Sequence, residues 1–259
     1  MDSLRRVEMH RFFVPPESIR QHTVGISGPL ARQIARVLRQ RPGDTIIVLD
    51  DTGAEFQVVL SEVHRDFVEG RVVERRTGAG EPRVKITLYQ APLKSDRFEF
   101  VLQKATELGV SSFVPLLTDR VVARKSNERR SGARVGRWRR IVTEAAEQCG
   151  RSRIPTISGP VTLKEACDDA PRAALMPWEE ERTSSGVRAA LARSRAEGWD
   201  GSEVAIFIGP EGGFTAQEAE LARALGVQTL SLGQRILRSE TAAIATIAAV
   251  CHELGELGA

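Results

Sequence analysis

The sequence predicts two folded parts: a small β-barrel from residues 1–75 and, after a linker at 76–82, an α/β domain with a mainly parallel sheet over 83–259. Three observations carry this. Up to residue 75, short β-like runs are separated by turn signals and interrupted by one helical run. Beyond residue 83, strand-like and helix-like runs alternate. Between them, Arg76-Thr77-Gly78-Ala79-Gly80-Glu81-Pro82 reads as connecting chain. Short strands around a single helix suit a barrel. Strand–helix alternation packs helices onto a parallel sheet.

In the first part, strands are expected at 11–14, 45–49, 55–60 and 67–73, with turns at Arg41-Pro42-Gly43-Asp44 and Asp50-Asp51-Thr52-Gly53. A helix over 30–38 would put Leu30, Ile34, Val37 and Leu38 on one face. In the second part, a strand at 84–89 precedes a helix at 96–108 that aligns Phe98, Leu102, Ala105 and Leu108 and stops at Gly109. A strand follows at 113–117. An amphipathic helix at 137–149 gathers Trp138, Ile141, Val142, Ala145 and Cys149 on one face, while Glu144, Gln148 and Arg151 line a polar one. Apolar runs at 173–176 and 204–208 suit buried parallel strands. Thr215 and Glu218 form a capping box that opens a helix to 225. A strand at 229–232 and a final helix from about 240 complete the order. From Ala242 to Cys251 only Thr246 is polar, so that helix is expected to be covered all round, within one chain or between two subunits.

Composition excludes several classes. Hydrophobic residues make up 41% and charged residues 27%, as in a soluble globular chain. The three cysteines, Cys149, Cys167 and Cys251, form no CxxC pair, which speaks for a reducing compartment and against a zinc site. The N-terminus has no signal-like apolar run, and the stretch 242–251 is about half of what a membrane span needs. The expectation is a cytoplasmic protein with no membrane segment and no metal. Net charge is only +3, but residues 119–153 hold eleven Lys/Arg against four acids, and 154–259 hold nine against fifteen. A concentrated positive segment suits phosphate neutralisation; a solvated arginine-rich helix is the plainer alternative.

Two segments suggest chemistry. In Ile206-Phe207-Ile208-Gly209-Pro210-Glu211-Gly212-Gly213-Phe214-Thr215 a buried strand runs into a glycine-rich turn and a capped helix. Glycines let a ligand approach the backbone, and ligands of open α/β sheets sit at the carboxyl ends of strands. The turn is neither GxGxxG nor a Walker A loop. Glu211 would oppose a phosphate but suit a cation such as a sulfonium; a tight connection with an incidental glutamate is the alternative. The second segment runs from Leu232 and Gly233 through Ile236, Leu237 and Arg238 to Thr241 and Ala242, from the end of a strand into the apolar helix.

IGPEGGFT followed by LGQRILRSETAAI strongly resembles the family of ribosomal RNA small subunit methyltransferase E, the 16S rRNA uridine N3-methyltransferases of the SPOUT superfamily. HRFFV (10–14), VLRQRPGDTIIVLDDTG (37–53), QKATELGV (103–110) and EAAEQCGR (144–151) are similar to further motifs of that family in the same order, so the resemblance spans essentially the whole chain. It implies a SPOUT-type knotted (trefoil) domain, a PUA-like N-terminal barrel that binds RNA, and a homodimer. It also implies S-adenosyl-L-methionine held by Leu175 and Met176, by Gly209, Pro210, Glu211, Gly212 and Gly213, and by Leu232, Gly233, Ile236, Leu237 and Arg238, with Thr241 and Ala242 closing the pocket.

The implied reaction is methyl transfer to N3 of a uridine in 16S rRNA or the assembled small ribosomal subunit. Uridine N3 must lose its proton, so a cation stabilising the uridine anion or a base is needed. Arg238 is the leading stabiliser, with Glu211 or Glu144 as the base. RNA phosphates are expected at Arg124, Lys125, Arg129, Arg130 and Arg134, with Arg11 adding contacts from the barrel. The alternatives are a SPOUT enzyme with another RNA target and a non-catalytic RNA-binding ribosome-assembly protein.

Overall fold

The computed structural model describes residues 9–94, 96–120, 128–181 and 185–258. The chain divides into two compact units, one of residues 1–81 with 146–154 and one of residues 82–145 with 155–259.

The first unit is a curled six-stranded sheet. Its strands are β1 (Arg11–Phe13), β2 (Ile19–Arg20), β3 (Thr23–Ser27), β4 (Thr45–Leu49), β5 (Ala54–Val63) and β6 (Phe67–Thr77), in the order β1-β4-β5-β6-β3-β2. β1 and β4 are parallel; the other neighbours are antiparallel. Register shifts at Gln57/Val58 and Leu60/Glu62 bend the long β5–β6 pair, as bulges do. Phe12, Val24, Ile26, Ile34, Ile46, Val48, Val58 and Val68 fill the interior, and β3 alternates buried and exposed at the period of a half-buried strand.

The expected helix is only partly regular. α1 (Pro29–Arg32) starts with Pro29 at its first position and passes into a π turn at Gln33–Val37. Ala31 and Ile34 are buried, but Val37 is 72% exposed rather than on the core face. A π turn adds a residue to the repeat, which rotates Val37 out of the stripe that a 3.6-residue period assigns it.

The second unit is a wholly parallel sheet of β7 (Lys85–Gln90), β8 (Val110–Leu117), β9 (Thr156–Ile157), β10 (Val161–Thr162), β11 (Ala174–Pro177), β12 (Glu203–Ile208) and β13 (Gln228–Leu230). The main path is β10-β8-β7-β12-β11-β13, with β9 also on β8. Its helices are α2 (Arg97–Glu107), α3 (Glu128–Cys149), α4 (Leu163–Asp168), α5 (Val187–Ala196), α6 (Ala216–Ala224) and α7 (Ser239–Glu253). α3 begins well before the expected residue 137, and its last turn belongs to the first unit. Arg151 does not extend α3's polar face: it follows Gly150, whose φ is +86°, and is buried against Glu81 at 3.0 Å.

Strand order is what positions the site. β12 pairs along its whole length with β7, inserting between β7 and the earlier strand β11, and β13 lies beyond β11. Residues 231–238 then lead from β13 back to α7, which packs on α2, α5 and β12. The carboxyl ends of four parallel strands, at Gln90, Ile208, Pro177 and Leu230, thus share one side of the sheet.

Candidate active site

β12 is buried along 204–208, so its backbone groups pair within the sheet until Gly209 frees the chain. Gly213 has φ +69°, in the left-handed region that favours glycine, and its amide donates to the Pro210 carbonyl at 3.0 Å, closing a tight turn. A Cβ on Gly209 would lie 3.2 Å from the backbone of Gly213 and Phe214, so close packing as well as conformation selects glycine there. The turn is braced from both sides. The Arg120 guanidinium donates to the Gly212 carbonyl, and the Trp178 indole N–H donates to the Phe214 carbonyl at 3.3 Å. α6 then starts on the expected capping box, and the Glu218 side chain also accepts the Asp119 amide at 2.8 Å.

The segment after β13 is built differently. Among the described residues, no protein group accepts the amide N–H of Leu232, Gln234, Arg235, Ile236 or Leu237. Residues 233–236 are exposed and Leu232 and Leu237 half-buried, so these amides are open to solvent and to a ligand at the strand ends. Ser239 anchors the run's end: its hydroxyl donates to the Gly209 carbonyl at 2.5 Å and accepts from Gln90 Nε2 at 3.2 Å. Gln90 is 1% exposed and Ser239 8%, so the junction is shielded from water. Glu211 accepts the Lys94 amide at 3.0 Å. Desolvation raises its pKa, but the Lys94 amide, its own backbone amide and the charges of Lys94 and Arg97 outweigh that, so the carboxyl stays below the ordinary glutamate value. Arg97 lies 3.8 Å from Glu240.

Several expected residues come together here. Gly209 to Gly213, Leu232 to Arg238, and Thr241 and Ala242 in the first turn of α7 ring the ends of β12 and β13. Leu175 and Met176 lie inside β11 and are wholly buried, so this strand reaches the site at its carboxyl end, next to Trp178. Ile236 is 86% exposed and Leu237 half-buried. Arg238 is exposed, occupies the N-cap position of α7 without a side-chain cap bond, and has no ion pair among the described residues; Glu211 is held by the Lys94 amide and Glu240 by Arg97. Glu144 is exposed on α3 and makes no polar contact with this cluster.

Of the residues expected to meet RNA, Arg124 and Lys125 lie outside the described residues, and Arg129 and Arg130 are placed only as backbone of α3. Arg134 is exposed on the same helix. Arg11 is placed otherwise than expected: it is bonded to Glu55, which is 3% exposed, and reaches the Gly150 carbonyl at 3.3 Å. A buried carboxylate needs a cation, and Arg11 supplies it. Gln90, Lys94, Arg97 and Ser239 were not foreseen. The available signal was Gln90, a polar residue closing the strand directly after Leu88 and Tyr89. Among the described residues no group of His, Cys, Asp and Glu is arranged to hold a metal, and no helix is long and apolar enough to cross a membrane.

Comparison with known proteins identifies the family and the fold. The RNA methyltransferase domain family matches residues 80–251, and the RNA methyltransferase PUA domain family matches residues 28–73. The ribosomal RNA small subunit methyltransferase E of Synechocystis is 32% identical over 94% of this chain and 78% of its own. That of Bacillus subtilis is 30% identical over 95% and 97%. The crystal structure of the Neisseria gonorrhoeae enzyme of the same name, bound to S-adenosyl methionine, superposes with a TM-score of 0.80 at 31% identity, covering 94% of this chain and 97% of that one.

Proposed function

The chain belongs to the ribosomal RNA small subunit methyltransferase E family, and from that premise we propose that it methylates N3 of a uridine in the 16S RNA of the small ribosomal subunit, using S-adenosyl-L-methionine. Its fold is the knotted SPOUT class with an N-terminal PUA-like sheet, as the resemblance implied. The observation that carries the proposal is the pairing of a glycine turn with a run of unpartnered amides at adjacent strand ends. Such a pair offers hydrogen bonds to an adenine edge and room for a bulky ligand. Glu211, kept ionised by its surroundings, faces a cationic ligand favourably.

When bound, S-adenosylmethionine supplies an electrophilic methyl group on a sulfonium. The protein's own work is positioning and charge. N3 lies on the Watson–Crick edge, so the target uridine must be unpaired or flipped to reach the site. Arg238, exposed and without a carboxylate partner, stabilises the uridine anion that forms when N3–H is lost. Glu211 holds the turn through Lys94 rather than acting as base, because its affinity for protons is lowered. Glu144, the other carboxylate named for that role, is exposed on α3 and out of polar contact with this cluster, so it would have to be brought to the site when RNA binds. The basic end of α3, including Arg134, meets RNA phosphates. A homodimer would cover the face of α7 that one chain leaves uncovered, where Thr241 and Ala245 are exposed and Ala248 and Ala249 half-buried. The chain acts where ribosomes do, in the cytoplasm.

The test is nucleoside mass spectrometry on small-subunit RNA from a strain lacking the endogenous activity, offered naked and as particles with labelled cofactor. Labelled N3-methyluridine is the expected product; a methyl on another atom would sink the assignment. Arg238→Ala should lower kcat about 100-fold with cofactor affinity unchanged, and raising the pH should restore part of it by ionising N3 directly. A loss confined to cofactor binding would reassign Arg238.

A further inference from the structure

The first unit contains a cleft of its own, of about 580 Å³, between the β4–β5 turn, the end of β6 and residues 152–153. That size lies within the roughly 300–1,000 Å³ of ligand clefts. Its lining is cationic: Arg75, Arg76 and Arg153 are all exposed on it. Four acids of the same segments, Glu55, Glu81, Asp50 and Asp51, are already engaged. Glu55 holds Arg11 and Arg76, the latter at 3.0 Å. Glu81 holds Arg151 and accepts the amides of Ser152 and Arg153 at 2.8 and 2.9 Å. Asp51 accepts the Ile154 amide at 2.6 Å, and Asp50 accepts from Thr52.

Arg75 and Arg153 therefore remain without an ion-pair partner among the described residues, yet both are held in place. Arg75 stands over the Phe56 ring, 5.6 Å from its centroid. The Arg153 guanidinium lies against Gly53, where a Cβ would come within 3.1 Å of it. Gly53 has φ +98°, and its carbonyl accepts the Gly78 amide at 2.9 Å, so two glycines form the floor. A Cβ on Gly78 would overlap Ser152. The buried Ser152 hydroxyl on the lining has no hydrogen-bond partner.

We propose that this cleft is a phosphate-binding subsite for the RNA backbone, with Arg75 and Arg153 as its two guanidinium contacts. It rests on the reading of the chain as an enzyme acting on RNA. Positioned but unneutralised guanidinium groups match phosphate oxygens in geometry and charge. Backbone contacts of this kind set the register of the RNA without reading its sequence.

The test uses the full chain and the variants Arg75→Gln, Arg153→Gln and the double. Binding to small-subunit RNA is followed by fluorescence anisotropy across a salt series, with cofactor calorimetry as the check on folding. Each lost contact should reduce the slope of log K against log salt by about 0.7–0.9, and the double variant by about twice that, with cofactor affinity unchanged. A double variant with the wild-type slope would overturn the proposal. So would competition by inorganic phosphate, at constant ionic strength, that the double variant loses while its RNA slope stays wild-type; the cleft would then serve a small free anion. Wild-type protein that neither binds nor methylates RNA would overturn the parent reading and this one together.

Discussion

Replacing Ser239 with alanine removes a single oxygen from the junction between the last helix and the glycine turn. The Gly209 carbonyl loses a donor 2.5 Å away, and Gln90 Nε2 loses one of two acceptors, keeping the Ala91 carbonyl at 3.0 Å. Both Gln90 and Ser239 are buried, so water does not replace the lost bond. Leaving one buried acceptor unsatisfied costs about 1–3 kcal/mol. For a cooperative unit of about 150–250 residues, each kcal/mol lowers Tm by about 2–4 °C. The same bond ends the loop whose amides at 232 and 234–237 have no protein acceptor, so loosening it should weaken cofactor binding by up to about tenfold, or about 1.4 kcal/mol. Urea unfolding and calorimetry measure the two effects. In the Gln90→Leu/Ser239→Ala double variant the losses should fall short of the sum by about 0.5 kcal/mol or more, because both residues belong to one network. Wild-type unfolding within about 0.3 kcal/mol, with unchanged cofactor affinity, would refute the assigned role of the junction.

Three further outcomes follow from the same structure. The pKa of Glu211 is lowered in the folded protein, so its anchoring is complete above the ordinary glutamate value of 4.5 and is lost only as pH falls through the lower folded value. Cofactor affinity should therefore stay flat from pH 8 to about 5 by calorimetry, and a midpoint above 5 would contradict this. Burial pushes the Cys167 and Cys251 thiols up to about 11, so iodoacetamide at pH 8 should label Cys149 first in the native protein, as peptide mass spectrometry would show; early labelling of either buried thiol would refute the packing. Glu55→Gln leaves Arg11, with its side chain only 17% exposed, without its carboxylate. The first unit should lose about 3 kcal/mol in urea unfolding, and a change below about 0.5 kcal/mol would show that the pair contributes little.

What could be read from the sequence is what local chemistry decides. The Thr215–Glu218 capping box, the all-apolar strand at 204–208, the helix entering at Asp96 and stopping at Gly109, and the strand at 45–49 all have causes within a few residues of themselves. The glycine turn was legible for the same reason, since the left-handed conformation of Gly213 is a property of one residue. Short edge strands such as β9 and β10 were not legible, because two residues carry no period. Val37 was misplaced because a π turn changes the repeat that sequence periodicity assumes.

Tertiary structure alone decided which distant residues meet. Gln90 and Ser239 are 149 positions apart and touch because β12 inserts beside β7 and the chain returns from β13 to α7. Arg11 reads as a free surface cation until folding places it against Glu55, 44 positions away. Residues 146–154 join the first unit through the hold of Glu81 on Arg151 and of Asp51 on Ile154. Hydrophobic period and turn chemistry specify each element and the face it buries. Strand order and long-range ion pairing are settled by the free energy of the whole packed sheet, which no window of sequence contains.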